Sequence, residues 1–243
     1  MLFPAAANFI VTAALLGAQP ASDGSVQPIA EPEIIEVQGL GSDVIQSPSD
    51  IAPAEIMPKV YDGVSDEAIF DLVAGYIQGI TTLTAHFSQT DAYGDLTTGT
   101  LKMARPGRLV FDYDLPSPLK IVANQGLVYV HDADLETTDS YPVGKTPLKF
   151  LLSKKIKTKD AILEGVVRTH NSVALTLSSD DEETEGRLIL VLEAPELSLR
   201  RWAVEGPRGD VTVVELSNMV GGTKISPNTF RVPDAGGAFT RDR

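Results

Sequence analysis

The side chains that most often carry out covalent or metal chemistry are scarce in this sequence and badly spaced for it. There is no cysteine, which removes thiol catalysis, Cys-ligated zinc, iron–sulfur clusters, disulfide frameworks and lipid attachment through an N-terminal cysteine. The three histidines, His86, His131 and His170, are widely spaced and do not read as a metal site. Asp112 and Asp114 fall on one side of a predicted strand, as an acid–base pair would, but no third group is suggested beside them. Solvent-exposed carboxylates are the expectation there. The run Ser178-Ser179-Asp180-Asp181-Glu182-Glu183-Thr184-Glu185 lacks the alternating ligands and central glycine of a calcium loop and reads as a solvated hairpin tip. Nucleophile elbow, zinc-protease, phosphate-loop and dinucleotide motifs are all missing. No catalytic residue, metal or cofactor is therefore expected, and the chain does not read as an enzyme.

A length of 243 residues allows one domain or two small ones. The net charge of −13 argues against a phosphate-binding stripe, so nucleic acid is not an expected partner. Seven of those excess negative charges fall in residues 19–62, where eight acidic residues meet only Lys59. The same stretch holds six prolines and reads as an extended, acidic, disordered linker, with Ile34-Ile35-Glu36-Val37 its one short apolar run. Before it, residues 1–18 are almost wholly apolar or small and read as a secretory signal peptide, an uncleaved membrane anchor being the other reading. On either reading the folded part lies outside the cytoplasm.

From residue 63 the pattern becomes that of one folded domain, extending to 235 with a flexible tail at 236–243. Ser65 followed by Asp66 and Glu67 marks a helix start, and Ile69, Leu72, Val73, Tyr76, Ile77 and Ile80 recur at helical spacing over 65–80. Short alternating segments follow: Leu83/Ala85/Phe87, Leu101/Met103/Arg105, Leu109/Phe111/Tyr113, Leu119/Ile121/Ala123 and, beyond the turn at Asn124-Gln125-Gly126, Leu127/Tyr129. A helical interruption is predicted at 146–152, with Thr146 as N-cap and Pro147 in the first turn, and another turn at 159–163. Strands resume at 164–170, 172–178, 187–193, 197–205 and 210–218. Short strands joined by turns predict an antiparallel meander that curls into a barrel or half-barrel, with two helical pieces to cover one opening. Alternation shows which face is buried. It does not show whether the interior is full, and Trp202 reads equally as a core or a cavity residue.

Several segments, taken in order, resemble the LolA family of lipoprotein carriers. They are Ala85-His86-Phe87-Ser88-Gln89-Thr90, the stretch Gly99 to Tyr113 with its Arg105-Pro106 turn, Pro116 with Leu119 to Tyr129, and Thr146-Pro147-Leu148-Lys149-Phe150-Leu151-Leu152. Val214-Glu215-Leu216-Ser217-Asn218 and Ile225 to Pro233 resemble the family's closing strands. The resemblance spans about 65–235. It implies a mainly antiparallel β fold with helices (α+β), an unclosed β-barrel or half-barrel covered by a helical lid, as in LolA and LolB.

The resemblance also implies a job: a monomeric periplasmic chaperone that takes lipoproteins from an inner-membrane lipoprotein-releasing ABC transporter to an outer-membrane acceptor of the LolB kind. Their acyl chains would lie in an apolar cavity. Leu101, Met103, Leu109, Phe111, Leu119, Ile121 and Tyr129 are the expected sheet lining, with Leu148, Leu151 and Leu152 opposite on the lid. Arg105 shares strand parity with Leu101 and Met103 and so points inward, where carbonyls of the lid would have to accept from it. The family implies that this arginine closes the lid and helps to release the ligand. A rim arginine in solvent is the plainer reading. Two other functions stay open at this level: an acyl-binding stress sensor on the same fold, and a structural domain whose core is simply full.

Overall fold

The computed structural model describes residues 57–156, 161–179 and 186–233. The signal peptide, residues 19–56 of the predicted linker, the acidic tip at 180–185 and the tail at 236–243 lie outside them. The account below concerns the unit that begins at Pro58. Its helix α1 (Asp66–Gly79) starts where the capping residues predict, with Ser65 Oγ accepting from Ala68 N at 3.2 Å. The buried face is Ile69, Phe70, Val73, Ala74 and Ile77, and Leu72 is turned out to 47% exposure. The stripe is thus rotated from the predicted one, because Phe70 and Ala74 flank Val73 on the side that meets the sheet.

Eleven strands follow: β1 (Thr82–Thr90), β2 (Leu96–Ala104), β3 (Arg108–Tyr113), β4 (Leu119–Asn124), β5 (Leu127–Asp132), β6 (Thr137–Pro142), β7 (Ile162–Arg168), β8 (Ser172–Ser178), β9 (Arg187–Glu193), β10 (Ser198–Glu205) and β11 (Val211–Gly221). They form one antiparallel sheet in the order β6-β5-β4-β3-β2-β1-β11-β10-β9-β8-β7. Two meanders are therefore joined by the β1–β11 ladder, and among the described residues β6 and β7 are the edges. The sheet is open, yet it is strongly curled. Phe111 on β3 and Trp202 on β10 stand four strands apart, about 19 Å in a flat sheet, but their rings are 6.1 Å apart. The concave face, α1 and the segment between β6 and β7 share one apolar core.

That connecting segment is less helical than predicted. A 3₁₀ turn at Val143–Lys145 leads into the single turn α2 (Lys149–Leu152). Thr146 does not cap it. Its hydroxyl donates back to Val143 O at 2.9 Å, and Leu148 stands at the N-cap instead. Residues 162–163, expected to be helical, open strand β7. Residues 225–233, expected to be strand, hold the 3₁₀ turn Pro227–Phe230, which packs on the convex side of the sheet. Phe230 is fully buried there against Ala104, Val110 and Val122, and Asn124 Nδ2 donates to its carbonyl at 3.1 Å. The domain also starts earlier than residue 63. Val60 N donates to Thr169 O at 2.8 Å, and Val60 and Tyr61 pack on the core.

One glycine sets the geometry of the concave floor. A Cβ at Gly99 would collide with the carbonyl oxygen of Asp112 and lie 2.7 Å from Cε1 of Phe87. The Phe87 ring can cover Gly99 only because nothing projects from it, and from there it meets Phe111 and Tyr113 edge-on, each at 5.1 Å. Gly99→Ala must displace backbone as well as ring. It is expected to lower stability by about 1–3 kcal/mol, seen as a lower urea midpoint at unchanged slope. Phe230→Ala, which empties the convex pocket, is expected to cost about 3–5 kcal/mol in the same assay.

Candidate functional site

The concave face supplies Leu101, Met103, Leu109, Phe111, Leu119 and Ile121, all buried, as the sequence predicts. Leu148, Leu151 and Leu152 of the covering segment are buried against the same core. Tyr129 is not part of it. The β4–β5 hairpin has a two-residue loop, Gln125-Gly126, both at positive φ, and pairs Ile121 with Val130 and Val122 with Tyr129. Such a loop inverts the odd–even parity between strands, so Val128 and Val130 face inward and Tyr129 lies half-buried on the convex side near Arg231 and Val232.

Among the described residues a cavity of about 30 Å³ is bounded by Phe111, Tyr113, Ile121, Leu148, Trp202 and Val214, with Gln89, Thr146 and Thr212 as its polar lining. It is far smaller than the roughly 150 Å³ of a cavity that holds benzene. Trp202 is both of the things its sequence position allowed: it is 2% exposed and it lines the cavity.

Arg105 lies at the opposite end of the concave face, where β2 runs into its turn. Its guanidinium donates to Leu151 O and, at 2.6 Å, to Ser153 O, the last carbonyls of α2 and its cap. Gly107 N donates to Leu152 O at 3.0 Å beside it. Three consecutive carbonyls of the covering segment are therefore held by one turn of the sheet. Burial pulls the arginine's pKa below its ordinary value, yet a guanidinium stays charged in a protein. A charged side chain half out of water and tied to neutral carbonyls makes a strong but breakable clasp.

The remaining titratable candidates are set apart from this site. Asp112 pairs with Lys120 at 3.1 Å and Asp114 accepts from Thr98 Oγ1 at 2.8 Å, both on the outer surface. His86 and His170 are exposed, and His131 Nδ1 lies 3.0 Å from Thr138 Oγ1. Sequence reasoning missed the polar end of the cavity. Tyr113 OH donates to Gln89 Oε1 at 2.9 Å, and both residues are buried. Desolvation pushes the Tyr113 hydroxyl well above the usual phenol range, with the Gln89 hydrogen bond pulling the other way, so it stays a proton donor at neutral pH. A Gln on an inward strand position among apolar neighbours was the available signal.

An open antiparallel half-barrel, packed over an apolar interior and closed by an arginine-clasped segment, is the class of protein these features define. The family model described as outer membrane lipoprotein carrier protein LolA matches residues 78–233. The chain belongs to the LolA family. An outer-membrane lipoprotein carrier protein of Methylobacillus flagellatus is 24% identical over 174 residues, covering 67% of this chain and 83% of that one. An uncharacterized protein of Rickettsia prowazekii is 27% identical over 103 residues, 42% of this chain, and the chain spans 48% of its length. Among solved structures, a LolA superfamily protein from Nitrosomonas europaea aligns over 67% of this chain and 97% of its own, with 10% identity and a TM-score of 0.43.

The clasp makes a direct prediction. In Arg105→Leu, amide hydrogen exchange at Gly107 and over residues 149–153 is expected to accelerate at least tenfold, with β1, β2 and β11 unchanged. Unchanged exchange over 149–153 would show that packing of Leu151 and Leu152 and the Gly107–Leu152 bond hold the segment without Arg105.

Proposed function

We propose that this chain is a periplasmic carrier that shelters lipoprotein acyl chains between the concave face and the segment 143–153. It is not an enzyme. It receives its cargo from an inner-membrane lipoprotein-releasing ABC transporter and delivers it to an acceptor at the outer membrane, acting as a monomer. The observation that carries this reading is the combination, at one site, of a largely apolar concave face with a cover fastened by a few polar bonds. Family membership and the carrier name of the Methylobacillus flagellatus relative support it. Among the described residues no helix is long and apolar enough to cross a membrane.

The energetics explain why the cover is fastened this way. Burial of an acyl chain is worth about 0.8 kcal/mol per methylene, so free acylated cargo does not cross water. A carrier must cover the chains and still let them go. The cavity bounded by the described residues is about 30 Å³, so loading an acyl chain there lifts the segment and parts it from the sheet. Lifting breaks the two Arg105 bonds, at roughly 1.5–3 kcal/mol each for hydrogen bonds to a charged group. Re-forming them favours the empty state and lowers the net affinity for cargo. Expulsion at the acceptor then needs no external energy.

The same small cavity favours a second reading, a structural domain with a filled core. The two part on one experiment. Purified chain is loaded with a lipoprotein and mixed with acceptor membranes. The carrier reading expects stoichiometric loading and, in Arg105→Leu, normal loading with transfer slowed at least several-fold. Arg105→Lys should be intermediate, since it keeps the charge and loses the planar fork. Failure of the wild-type chain to load any lipoprotein or long-chain acyl compound would falsify the carrier and leave the structural domain.

A further inference from the structure

Four side chains with polar or charged groups are fully buried among the described residues: Gln89, Asp91, Thr146 and Thr212. Three of them, Gln89, Thr146 and Thr212, line the same cavity, and Asp91 lies just past the end of β1, in its turn to β2. The rest of the core is apolar. Such clustering has a chemical meaning, because a polar group buried without a partner is destabilising wherever it stands.

Thr146 is satisfied by Val143 O. Asp91 Oδ1 closes the β1–β2 turn by accepting from Tyr93 N at 2.9 Å and Asp95 N at 2.7 Å, while its Oδ2 is buried without a partner among the described residues, away from the cavity lining. Gln89 is different. Tyr113 OH donates to its Oε1, which fixes the amide of a residue that lines the cavity. Gln89 is 4% exposed, and its amide nitrogen has no protein acceptor among the described residues. An amide N–H donor without a protein acceptor thus belongs to a residue that lines the apolar chamber together with Thr212.

We infer that Gln89, held by Tyr113, is the polar subsite of the acyl chamber and takes the ester carbonyl of a bound acyl group. Its amide nitrogen donates to that oxygen while the hydrocarbon runs over Phe111, Ile121 and Trp202. The inference rests on the carrier reading and deepens it: the cargo is recognised as an acyl ester and not as bare hydrocarbon. It also fixes the cargo's direction. The glyceryl end lies between the ends of β1, β3 and β11, away from the Arg105 clasp, which sits at the other end of the same strands.

The test uses two lipids that differ only in the acceptor. Dimyristoylglycerol carries ester carbonyls, and its di-O-tetradecyl ether analogue has the same chains and hydroxyl without them. Each is titrated against the full chain by displacement of an apolar fluorescent dye. The wild type is expected to bind the ester about tenfold more tightly than the ether, the upper range for one hydrogen bond. Gln89→Leu should lose that preference while binding the ether as well as the wild type does. Tyr113→Phe, which frees the amide to turn, should retain only part of it. Gln89→Met, close in shape, serves as the readout if the leucine variant fails to fold. Equal affinity of the wild type for ester and ether, or a preference that survives in the Gln89 variants, would overturn the subsite and leave the carrier intact. Binding of neither lipid by the wild type would overturn the carrier and the subsite with it.

Discussion

An eleven-stranded sheet with one apolar face has to cover that face without closing on itself. Everything else in the fold answers this constraint. Among the described residues β6 does not pair with β7, and both remain edges of the sheet. The sheet instead curls until side chains four strands apart touch, as Phe111 and Trp202 do, and the remaining opening is covered by α1 and by the chain that links the two edges. β6 tolerates its free edge because it is polar, Thr137-Thr138-Asp139-Ser140, and β7 because a bulge near Glu164 breaks its register. A cover made from a connection can move without unpairing a strand. A twelfth strand could not.

The two covering elements are held in different ways. α1 presents five buried apolar residues over nearly four turns, and Tyr76 OH accepts from Leu199 N at 3.0 Å to tie it to β10. The segment 143–153 has one turn of helix and depends on the clasp at Arg105 and Gly107. Its apolar contacts with the core are large, but an acyl chain can replace them with others of the same kind. On the proposed carrier function the polar bonds have no such replacement, so the difference between empty and loaded chain falls on a few hydrogen bonds and a weak effect decides between them.

Much of this was readable from residue patterns, and the exceptions have physical reasons. The helix cap, the alternating runs of β1 to β4 and the strands at 172–178 and 187–193 follow from local chemistry, and they emerge where expected. The inward aim of Arg105 follows from parity alone and agrees with its bonds to Leu151 and Ser153. Parity failed at Tyr129 because a two-residue turn inverts it, and at β10 a bulge at Arg200 lets Leu199 and Trp202 share a face. β6 left no apolar signal because an edge strand is kept polar. Phe230 read as part of a strand, and only tertiary packing shows a single ring filling a convex pocket. Gln89 looked like a motif letter. Its meaning depends on Tyr113, 24 positions away on another strand, and long-range pairing of that kind is invisible to local periodicity.

The central claim is that the segment 143–153 lifts away from the sheet to admit acyl chains. Because the sequence contains no cysteine, two introduced thiols can be spin-labelled without background. His86→Cys places one label on the exposed outer face of β1, and Lys154→Cys places the other just past the clasp. Electron–electron distances between them are measured on the empty chain and after loading with a lipoprotein. The account predicts a narrow distribution when empty that moves to longer distance and broadens on loading, and an empty Arg105→Leu variant already shifted toward the loaded one. Loading that leaves the wild-type distribution unchanged would contradict it.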